Sequence, residues 1–364
     1  MSVRVRFQVR LPAGTPPGQV FLTGTPRAWS DDPRGWTFDA GDRLDADFPP
    51  GTLASLKVRL LRHDGTVTEE GDPWGGRAPA HKLVIQGDHM QADRTVTLTV
   101  AGWQDGRGGA GRPMTAAPPR EEWTLAAPWG EQRVRLWWPA GTRATYLPRL
   151  LLHDGQNVFD EGPTFAGQSW HAADAAQAAA DTGHPCLLVG LSVNEERSRR
   201  YLPFAVHLNG HRPGADEYLN WIARTLMPAL DRRFGTVGAG RTALAGSSFG
   251  GHVTLYGGLR DPGRYGTLGV FSPSLWPADH ALPRWVAARA DPAARVWLDA
   301  GDHEGDTLTD SARSVQDVRQ LGEALHGRVR EVHFSVGAGH WHDETAWKER
   351  FPAFLAWWLG GLSG

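Results

Sequence analysis

One short segment constrains the fold of this chain more than any other, because it joins a strand pattern directly to a helix pattern. Residues 241–245 have the apolar character of a buried strand, and residues 249–259 have the pattern of a helix that ends before Asp261. Between them stands the sequence GSSFG, from Gly246 to Gly250. With so few residues between them, the strand and the helix must pack close together, which requires positions without side chains. The segment therefore predicts a strand, a sharp turn and a helix, with Ser248 in the turn.

Ser248 is the candidate nucleophile of this turn. It is the central serine of a G-x-S-x-G pattern, and the helix that follows directs its first N–H groups toward the site. The amide of Phe249 is therefore a candidate donor to a developing oxyanion. Ser247 lacks the same frame, because Ala245 and Phe249 flank it where glycines flank Ser248. The alternative interpretation is a glycine-rich turn with an idle serine.

A nucleophilic serine needs a base, and the base needs a carboxylate that orients it. Two later strand patterns, at 295–300 and 330–336, are each followed by residues of these types, at the edge where open α/β sheets place functional loops. The candidates are Asp302, His303, Glu304 and Asp306 after the first strand, and His340, His342, Asp343 and Glu344 after the second. Spacing alone leaves the choice of base and acid open.

The same residues also offer a metal-binding alternative. His340 and His342, together with the acidic loop at 302–306, have residue types that bind Zn²⁺ or another divalent ion. This interpretation leaves the serine turn without a role. We therefore expect no metal.

The distribution of strand and helix patterns divides the chain into two parts. Short β-rich runs bounded by turn residues fill the first hundred residues and predict an antiparallel β-sandwich. A stretch rich in Gly and Pro then has the composition of a linker. Beyond it strands alternate with helices, which indicates a mostly parallel sheet covered on both faces. We expect a small all-β domain over 1–104, a linker over 105–121 and an α/β domain over 122–364.

Composition excludes several classes of protein. The 364 residues carry a net charge of −2 without a dense block of Lys and Arg, so we expect no nucleic-acid and no membrane partner. The single cysteine, Cys186, excludes an internal disulfide. No run approaches the roughly 18 apolar residues of a membrane span. No apolar run follows a basic N-terminus, so we expect a cytoplasmic protein.

Five segments of the C-terminal two thirds form a recognisable series. They are LLHDGQNVFD at 151–160, AGSSFGG at 245–251, FSPSLW at 271–276, LDAGDHE at 298–304 and HDETAW at 342–347. In this order they resemble the putative esterase family, the α/β-hydrolase group that contains enterochelin-esterase-like and feruloyl-esterase-like enzymes. The resemblance implies an α/β-hydrolase fold and a serine carboxylic-ester hydrolase that forms an acyl-enzyme and needs no cofactor.

The resemblance also implies roles for the nucleophile and the base. The family's nucleophile falls on Ser248. Its histidine stands in a His-Asn-Glu-x-x-Trp segment, which matches the sequence from His342 to Trp347. His342 is therefore the implied base, and His340 is the alternative.

The acid and the oxyanion hole follow from the same resemblance. The family pattern Gly-x-x-(Asp/Glu) after the strand gives Glu304 as the acid, with Asp302 as the alternative. The His-Asp-Gly-Gln segment matches the family's first oxyanion loop. The N–H of Gln156 is therefore expected to join that of Phe249.

The first hundred residues resemble the starch-binding-like β-sandwich domains in PPGQVFLTG at 16–24 and TVTLTVAGW at 95–103. That resemblance implies a glycan as a second partner, stacked on Trp29, Trp36 or Trp74. Tryptophans buried in the sandwich core are the other explanation. The domain could instead shape the esterase cleft.

The nature of the substrate stays open at this point. A small-molecule ester is expected, but siderophore, hydroxycinnamoyl and simple acyl esters have the same chemistry at the carbonyl. An acyltransferase on the same scaffold is one alternative, and an inert hydrolase domain that serves a glycan-binding module is another. The arginines at 197, 199, 200 and 212 either meet an acidic substrate or form a solvated face.

Overall fold

The computed structural model describes residues 2–86, 95–106, 112–160, 164–205 and 212–362. The chain divides into two units. The first consists of Met1–Met114, Glu161–Gln168 and His303–Arg313, and the second of Thr115–Asp160, Ser169–Asp302 and Ser314–Gly364. The first unit thus includes two segments that the sequence analysis places in the α/β domain. The boundaries expected at 104 and 122 stay a prediction, and residues 107–111 of the expected linker lie outside the described residues.

The first unit is built from two β-sheets. One has the strand order β3-β1-β7, and the other has the order β2-β4-β5-β8 with β6 paired to β4. The strands are β1 (Val3–Arg10), β2 (Gly18–Gly24), β3 (Arg43–Phe48), β4 (Thr52–Arg62), β5 (Val67–Gly71), β6 (His81–Ile85), β7 (Thr95–Thr99) and β8 (Gly102–Trp103). Alternate residues of β1, such as Phe7, share an apolar core with Leu56 and Val58 of β4. The small all-β domain is therefore confirmed.

One strand pair of this unit differs from the antiparallel prediction. Strands β1 and β7 are parallel, with Val9 opposite Leu98. Parallel neighbours need a long connection between them, and most of the other strands of the unit lie in that connection. The expectation of a purely antiparallel sandwich is wrong at this pair.

The second unit contains an eight-stranded sheet. Its order is β16-β15-β14-β13-β11-β12-β10-β9, and the successive pairs from β12 through β11, β13 and β14 to β15 are parallel. The strands are β9 (Glu121–Ala127), β10 (Gly130–Trp137), β11 (Arg149–His153), β12 (Leu187–Leu191), β13 (Thr242–Ser247), β14 (Thr267–Phe271), β15 (Asp291–His303) and β16 (Val329–Trp341).

Helices cover both faces of this sheet. They are α1 (Ala172–Asp181), α2 (Arg197–Tyr201), α3 (Ala215–Trp221), α4 (Met227–Phe234), α5 (Phe249–Arg260), α6 (Pro277–Val286), α7 (Leu308–Leu325) and α8 (Glu344–Gly360), with one wider π-helical turn, Ile222–Leu226, between α3 and α4. Neighbouring residues of β11 point to opposite faces: Leu151 joins the core that contains α3 and α5, and Leu152 joins the core that contains α1 and α8. The predicted sheet with helices on both faces is confirmed.

Candidate active site

The turn after β13 holds Ser248 in a strained backbone conformation. Its φ of 58° and ψ of −121° are rarely adopted by residues other than glycine. The turn is held from both sides, because Ser248 N donates to Phe271 O at 3.0 Å and His252 N donates to Ser248 O at 3.0 Å. A Cβ on Gly246 would lie 2.8 Å from the backbone carbon of Gly250. The predicted strand, turn and helix are present, and they leave the Ser248 side chain half-buried.

The helix that follows this turn begins with Phe249, the predicted oxyanion donor. N–H groups in the first turn of a helix have no acceptor within the helix, so the Phe249 amide stays a candidate donor to an anion beside Ser248. The Phe249 ring lies 5.8 Å from the ring of Trp276, which is 53% exposed. An aromatic surface therefore lies beside the candidate nucleophile.

The second predicted oxyanion donor, Gln156, lies in the short 3₁₀ turn Gly155–Asn157 that follows β11. Its side chain is fixed, because Gln156 Oε1 accepts from Val193 N at 2.9 Å. Asp154, which precedes the turn, adopts a left-handed conformation with φ of 55°. These contacts give the Gln156 backbone a defined position at the carboxyl end of β11.

A partly buried ion pair joins this turn to the serine turn. Arg197 of α2 donates two hydrogen bonds of 2.8 Å to the carboxylate of Asp154, and it also donates to Ser247 O at 3.4 Å. Burial acts to lower the pKa of Arg197, but the attraction and hydrogen bonds of Asp154 outweigh it and raise that pKa overall. The guanidinium is therefore a permanent cation whose contacts hold the two candidate oxyanion segments together.

Two histidines near the serine turn are buried and neutral. His153 Nδ1 lies 2.8 Å from the hydroxyl of Tyr218, and burial lowers the pKa of His153 to about 3. His252 Nδ1 lies 2.8 Å from Ser274 O, and burial lowers the pKa of His252 to about 4. Both side chains therefore pack near the serine turn as uncharged groups.

Ser274 is a site residue that the sequence analysis leaves without a role. Its hydroxyl lies 3.2 Å from the hydroxyl of Ser248, and its N–H donates to Ser248 O at 3.2 Å. It belongs to the loop after β14, inside the quoted segment FSPSLW at 271–276. Because β14 pairs with β13, the ends of these two strands meet at one edge of the sheet. That pairing is the signal that places Ser274 beside the nucleophile.

His342, the predicted base, stands between β16 and α8. Its ring is exposed and packs edge-to-face on Trp347, with 5.2 Å between the ring centroids. Asp343 caps α8 by accepting from Ala346 N at 3.2 Å, which fixes the residues that follow His342. The indole of Trp347 in turn donates to Ser272 Oγ at 3.0 Å, in the loop after β14. The segment of His342 therefore lies at the same edge of the sheet as Ser248.

The alternative base, His340, is engaged elsewhere. Its Nε2 lies 3.0 Å from Glu349 Oε2 on the outer side of α8, and its side chain is 20% exposed. This contact ties the end of β16 to the helix. The contact differs from that of His342, whose ring packs on Trp347.

The two acid candidates belong to different units. Asp302 lies in the second unit, where its Oδ1 accepts from Gly339 N at 2.7 Å, in the turn before His340. Glu304 lies in the segment His303–Arg313 of the first unit. That segment is held to the strand β4, because Leu53 N donates to the carbonyl oxygen at position 306 at 2.8 Å.

The structure also bears on the metal and membrane alternatives. Within the described ranges, no group of three or more His, Cys, Asp or Glu side chains is arranged to hold a metal ion. Among the same residues, no helix combines the length and the apolar character that crossing a membrane requires.

The tryptophans considered for glycan binding differ in exposure. Trp29 and Trp74 are 39% and 41% exposed, whereas Trp36 packs edge-to-face on Phe48 in the core of the first unit. Packing against the core, with partial burial, therefore accounts for Trp36. A glycan partner at the other two stays a prediction.

The strand order, the helices on both faces and the strained serine turn together define an α/β-hydrolase fold with a candidate nucleophile. The model of the family described as putative esterase matches residues 127–358, more than half of the chain. The chain belongs to the putative esterase family.

Similarity to individual proteins agrees with this family. A curated relative, the siderophore enterobactin esterase of Emericella nidulans, is 39% identical over 64 residues, which is 17% of this chain and only 21% of the relative. The fold is similar to that of the enterobactin esterase from Shigella flexneri, with a TM-score of 0.59, 17% identity, and 94% of this chain and 88% of that chain covered. It is also similar to the siderophore hydrolase EstB from Aspergillus nidulans, with a TM-score of 0.52, 21% identity, and 68% and 97% covered.

Proposed function

We propose that the protein is a serine carboxylic-ester hydrolase that acts through an acyl-enzyme. The observation that carries this proposal is the conformation of Ser248, whose φ of 58° and ψ of −121° lift its hydroxyl at the start of α5. Strain of this kind is retained where it serves function. Membership in an esterase family supports the same reaction.

In the proposed mechanism His342 accepts the proton of the Ser248 hydroxyl as Oγ attacks the ester carbonyl carbon. The carbonyl oxygen becomes an oxyanion that accepts hydrogen bonds from the N–H groups of Phe249 and Gln156. Protonated His342 then gives its proton to the leaving alcohol, and the acyl group remains on Oγ. Water, which gives a proton to His342, attacks the acyl carbon. As this intermediate collapses, His342 returns the proton to Oγ, which releases the carboxylic acid and restores both Ser248 and the neutral base.

The acid that orients His342 is proposed to be Glu304, with Asp302 as the alternative. We expect Glu304→Gln to lower kcat by about 100-fold or more and Asp302→Asn to have little effect, because loss of the charge misplaces the proton of the base. Asparagine retains an oxygen that accepts from Gly339 N, so the backbone contact of Asp302 is preserved. The reverse pattern of kcat values would assign the acid to Asp302.

The proposed natural substrate is an ester of a siderophore. Support comes from the named relatives, which are an enterobactin esterase among curated proteins and enterobactin or siderophore hydrolases among solved structures. The reaction at the carbonyl is the same for simple esters. A chromogenic ester therefore tests the chemistry independently of the substrate.

The experiment compares the hydrolysis of 4-nitrophenyl acetate by the wild type and two serine variants. Ser248→Ala is expected to lower kcat by about 1,000-fold or more. Ser247→Ala is the matched control and is expected to remain within a few-fold of the wild type, because this buried neighbour lies on β13. Loss of activity in the control alone, or full activity of Ser248→Ala, would contradict the proposal.

A further inference from the structure

A buried hydrogen bond joins two segments of the second unit that are far apart in the sequence. Asn157 Nδ2 donates to Glu344 Oε1 at 3.1 Å. The two residues are only 8% and 5% exposed. Asn157 directly follows Gln156 in the turn after β11, and Glu344 stands two positions after His342. The bond thus links the segment of a candidate oxyanion donor to the segment of the candidate base.

The Asn157 end of this bond is rigid. Asn157 N donates to Asp154 O at 2.8 Å, and Asn157 O accepts from Trp170 N at 2.9 Å. Both backbone groups of Asn157 are therefore held, and its side-chain amide projects from a fixed turn. If the Glu344 segment moves, this turn cannot move with it, and the hydrogen bond between Asn157 and Glu344 is lost.

The start of α8 does not require a carboxyl group at Glu344. Asp343 already caps the helix through its hydrogen bond with Ala346 N. Burial of a carboxyl group costs free energy unless the group gains polar partners. The contact with Asn157 provides one such partner for the Glu344 carboxyl group.

Three charged groups face the buried carboxyl group: Asp343 beside it, Asp154 before the turn and Arg197 of α2. The pKa of Glu344 is raised to about 7, mainly by burial. Asp343 and Asp154 also act to raise it, whereas a backbone hydrogen bond and Arg197 act to lower it. Arg197 directs its hydrogen bonds to Asp154. Glu344 therefore gains a proton as the pH falls through neutrality.

We infer that Asn157 and Glu344 are positioning residues. Their hydrogen bond fixes the position of the Gln156 N–H relative to the ring of His342. The inference rests on the proposed function, in which these groups act on the same ester. A misplacement of about 1 Å in such groups lowers catalytic rates by about 100-fold. Loss of this one bond therefore acts on the rate more than on folding.

The test measures the rate at which a fluorophosphonate probe modifies Ser248, relative to the wild type at the same pH. Asn157→Asp keeps the shape of the side chain but replaces the donor by a carboxylate that repels ionised Glu344. At about pH 8 we expect a rate about 10-fold or more below that of the wild type. At about pH 5.5 protonated Glu344 donates to the introduced carboxylate, and the ratio returns toward one.

Three further variants complete the design. Glu344→Gln keeps the acceptor oxygen and is expected to label within about 3-fold of the wild type, whereas Glu344→Ala removes the acceptor and is expected to be slow at both pH values. Glu217→Gln is the matched control, because Glu217 is an exposed acidic residue in the first turn of α3. It should label at the wild-type rate. Circular dichroism verifies that each variant is folded.

Three results would overturn the inference. The first is a wild-type labelling rate for Asn157→Asp at about pH 8, and the second is an equal loss at both pH values. The third is a folded Glu344→Ala variant that labels at the wild-type rate. If the wild type itself is not labelled at Ser248, the proposed function fails, and the inference fails with it.

Discussion

Ser274 is not among the predicted site residues, but it contacts the candidate nucleophile directly. Its hydroxyl is 3.2 Å from that of Ser248, so it can hold the nucleophile in one rotamer or donate to the oxygen as charge develops. The contact depends on one side-chain atom. The backbone contacts of Ser274 with Ser248 and His252 are independent of it.

We therefore predict that Ser274→Ala lowers kcat by about 3-fold to 10-fold, the equivalent of one hydrogen bond, and leaves KM nearly unchanged. Steady-state hydrolysis of 4-nitrophenyl acetate measures both constants. The thermal stability of the variant should stay close to that of the wild type because both backbone contacts remain. An unchanged kcat would show that the Ser274 hydroxyl has no part in the reaction.

The raised pKa of Glu344 has a consequence for stability. The folded protein holds this proton up to a pKa of about 7, whereas the unfolded chain releases it near the ordinary value of 4.5. Stability therefore falls as the pH rises from the unfolded to the folded pKa, by at most about 3 kcal/mol. Glu344→Gln removes this titration.

We expect the melting temperature of Glu344→Gln, relative to the wild type, to be higher at about pH 8 than at about pH 5. Thermal denaturation followed by circular dichroism at the two pH values measures the difference. The exposed Glu217→Gln variant provides the baseline, and its difference from the wild type should not change with pH. A difference for Glu344→Gln that is also constant with pH would show that Glu344 has no raised pKa.

Among the elements, the unit of β13, turn and α5 was predictable because its signals are local. Glycines at 246 and 250, an apolar run before them and a helical pattern after them all lie within 20 residues. The short strand β14 is not among the predicted elements, although it positions Ser274. The five buried residues of this strand, TLGVF, fit a strand and a buried helix segment equally well, and only pairing with β13 and β15 identifies the strand.

The helix α7 shows a different limit. Val318, Leu321 and Leu325 pack in the core at helical spacing, so the signal is present in the sequence. This helix is nevertheless not among the predicted elements, because the prediction assigns the polar residues just before it, at 301–306, to a functional loop.

Gly246 permits a direct test of the serine turn at the level of elements. A Cβ at this position would lie 2.8 Å from the Gly250 backbone, which cannot move without shifting α5. We predict that Gly246→Ala destabilises the protein by about 1–3 kcal/mol, as overpacking usually does, and nearly abolishes ester hydrolysis. Denaturant unfolding and activity measure the two effects.

The matched control for this substitution is Gly238→Ala. Gly238 has a φ of −69°, which suits alanine, and no atom within 4 Å of the added Cβ. This variant should keep both stability and activity. A Gly246→Ala variant that behaves like the control would show that the turn does not need glycine at 246.

For the whole molecule, the fold class was predictable and the division into units was less so. The change from strands alone to alternating strands and helices is a pattern of the sequence itself. The segment 303–313, in contrast, joins the first unit through contacts such as the bridge between Thr52 and Thr307. Pairing between residues this distant leaves no local signal in either segment.

The candidate site shows the same contrast. The positions of Ser248, Phe249 and Gln156 follow from local turns, and the sequence motifs identify them. The contacts of Ser274, Asn157 and Glu344 depend on which strand ends meet at one edge of the sheet. A sequence motif can include such a residue without indicating its role, because the role depends on a contact with a residue elsewhere in the chain.

The central claim of this account is that Ser248 is an activated nucleophile. Mass spectrometry after reaction with a fluorophosphonate probe tests it without knowledge of the substrate. We predict one adduct per chain, on Ser248, which persists in Ser247→Ala and disappears in Ser248→Ala. No adduct on the wild type, or an equal adduct on Ser248→Ala, would contradict the account.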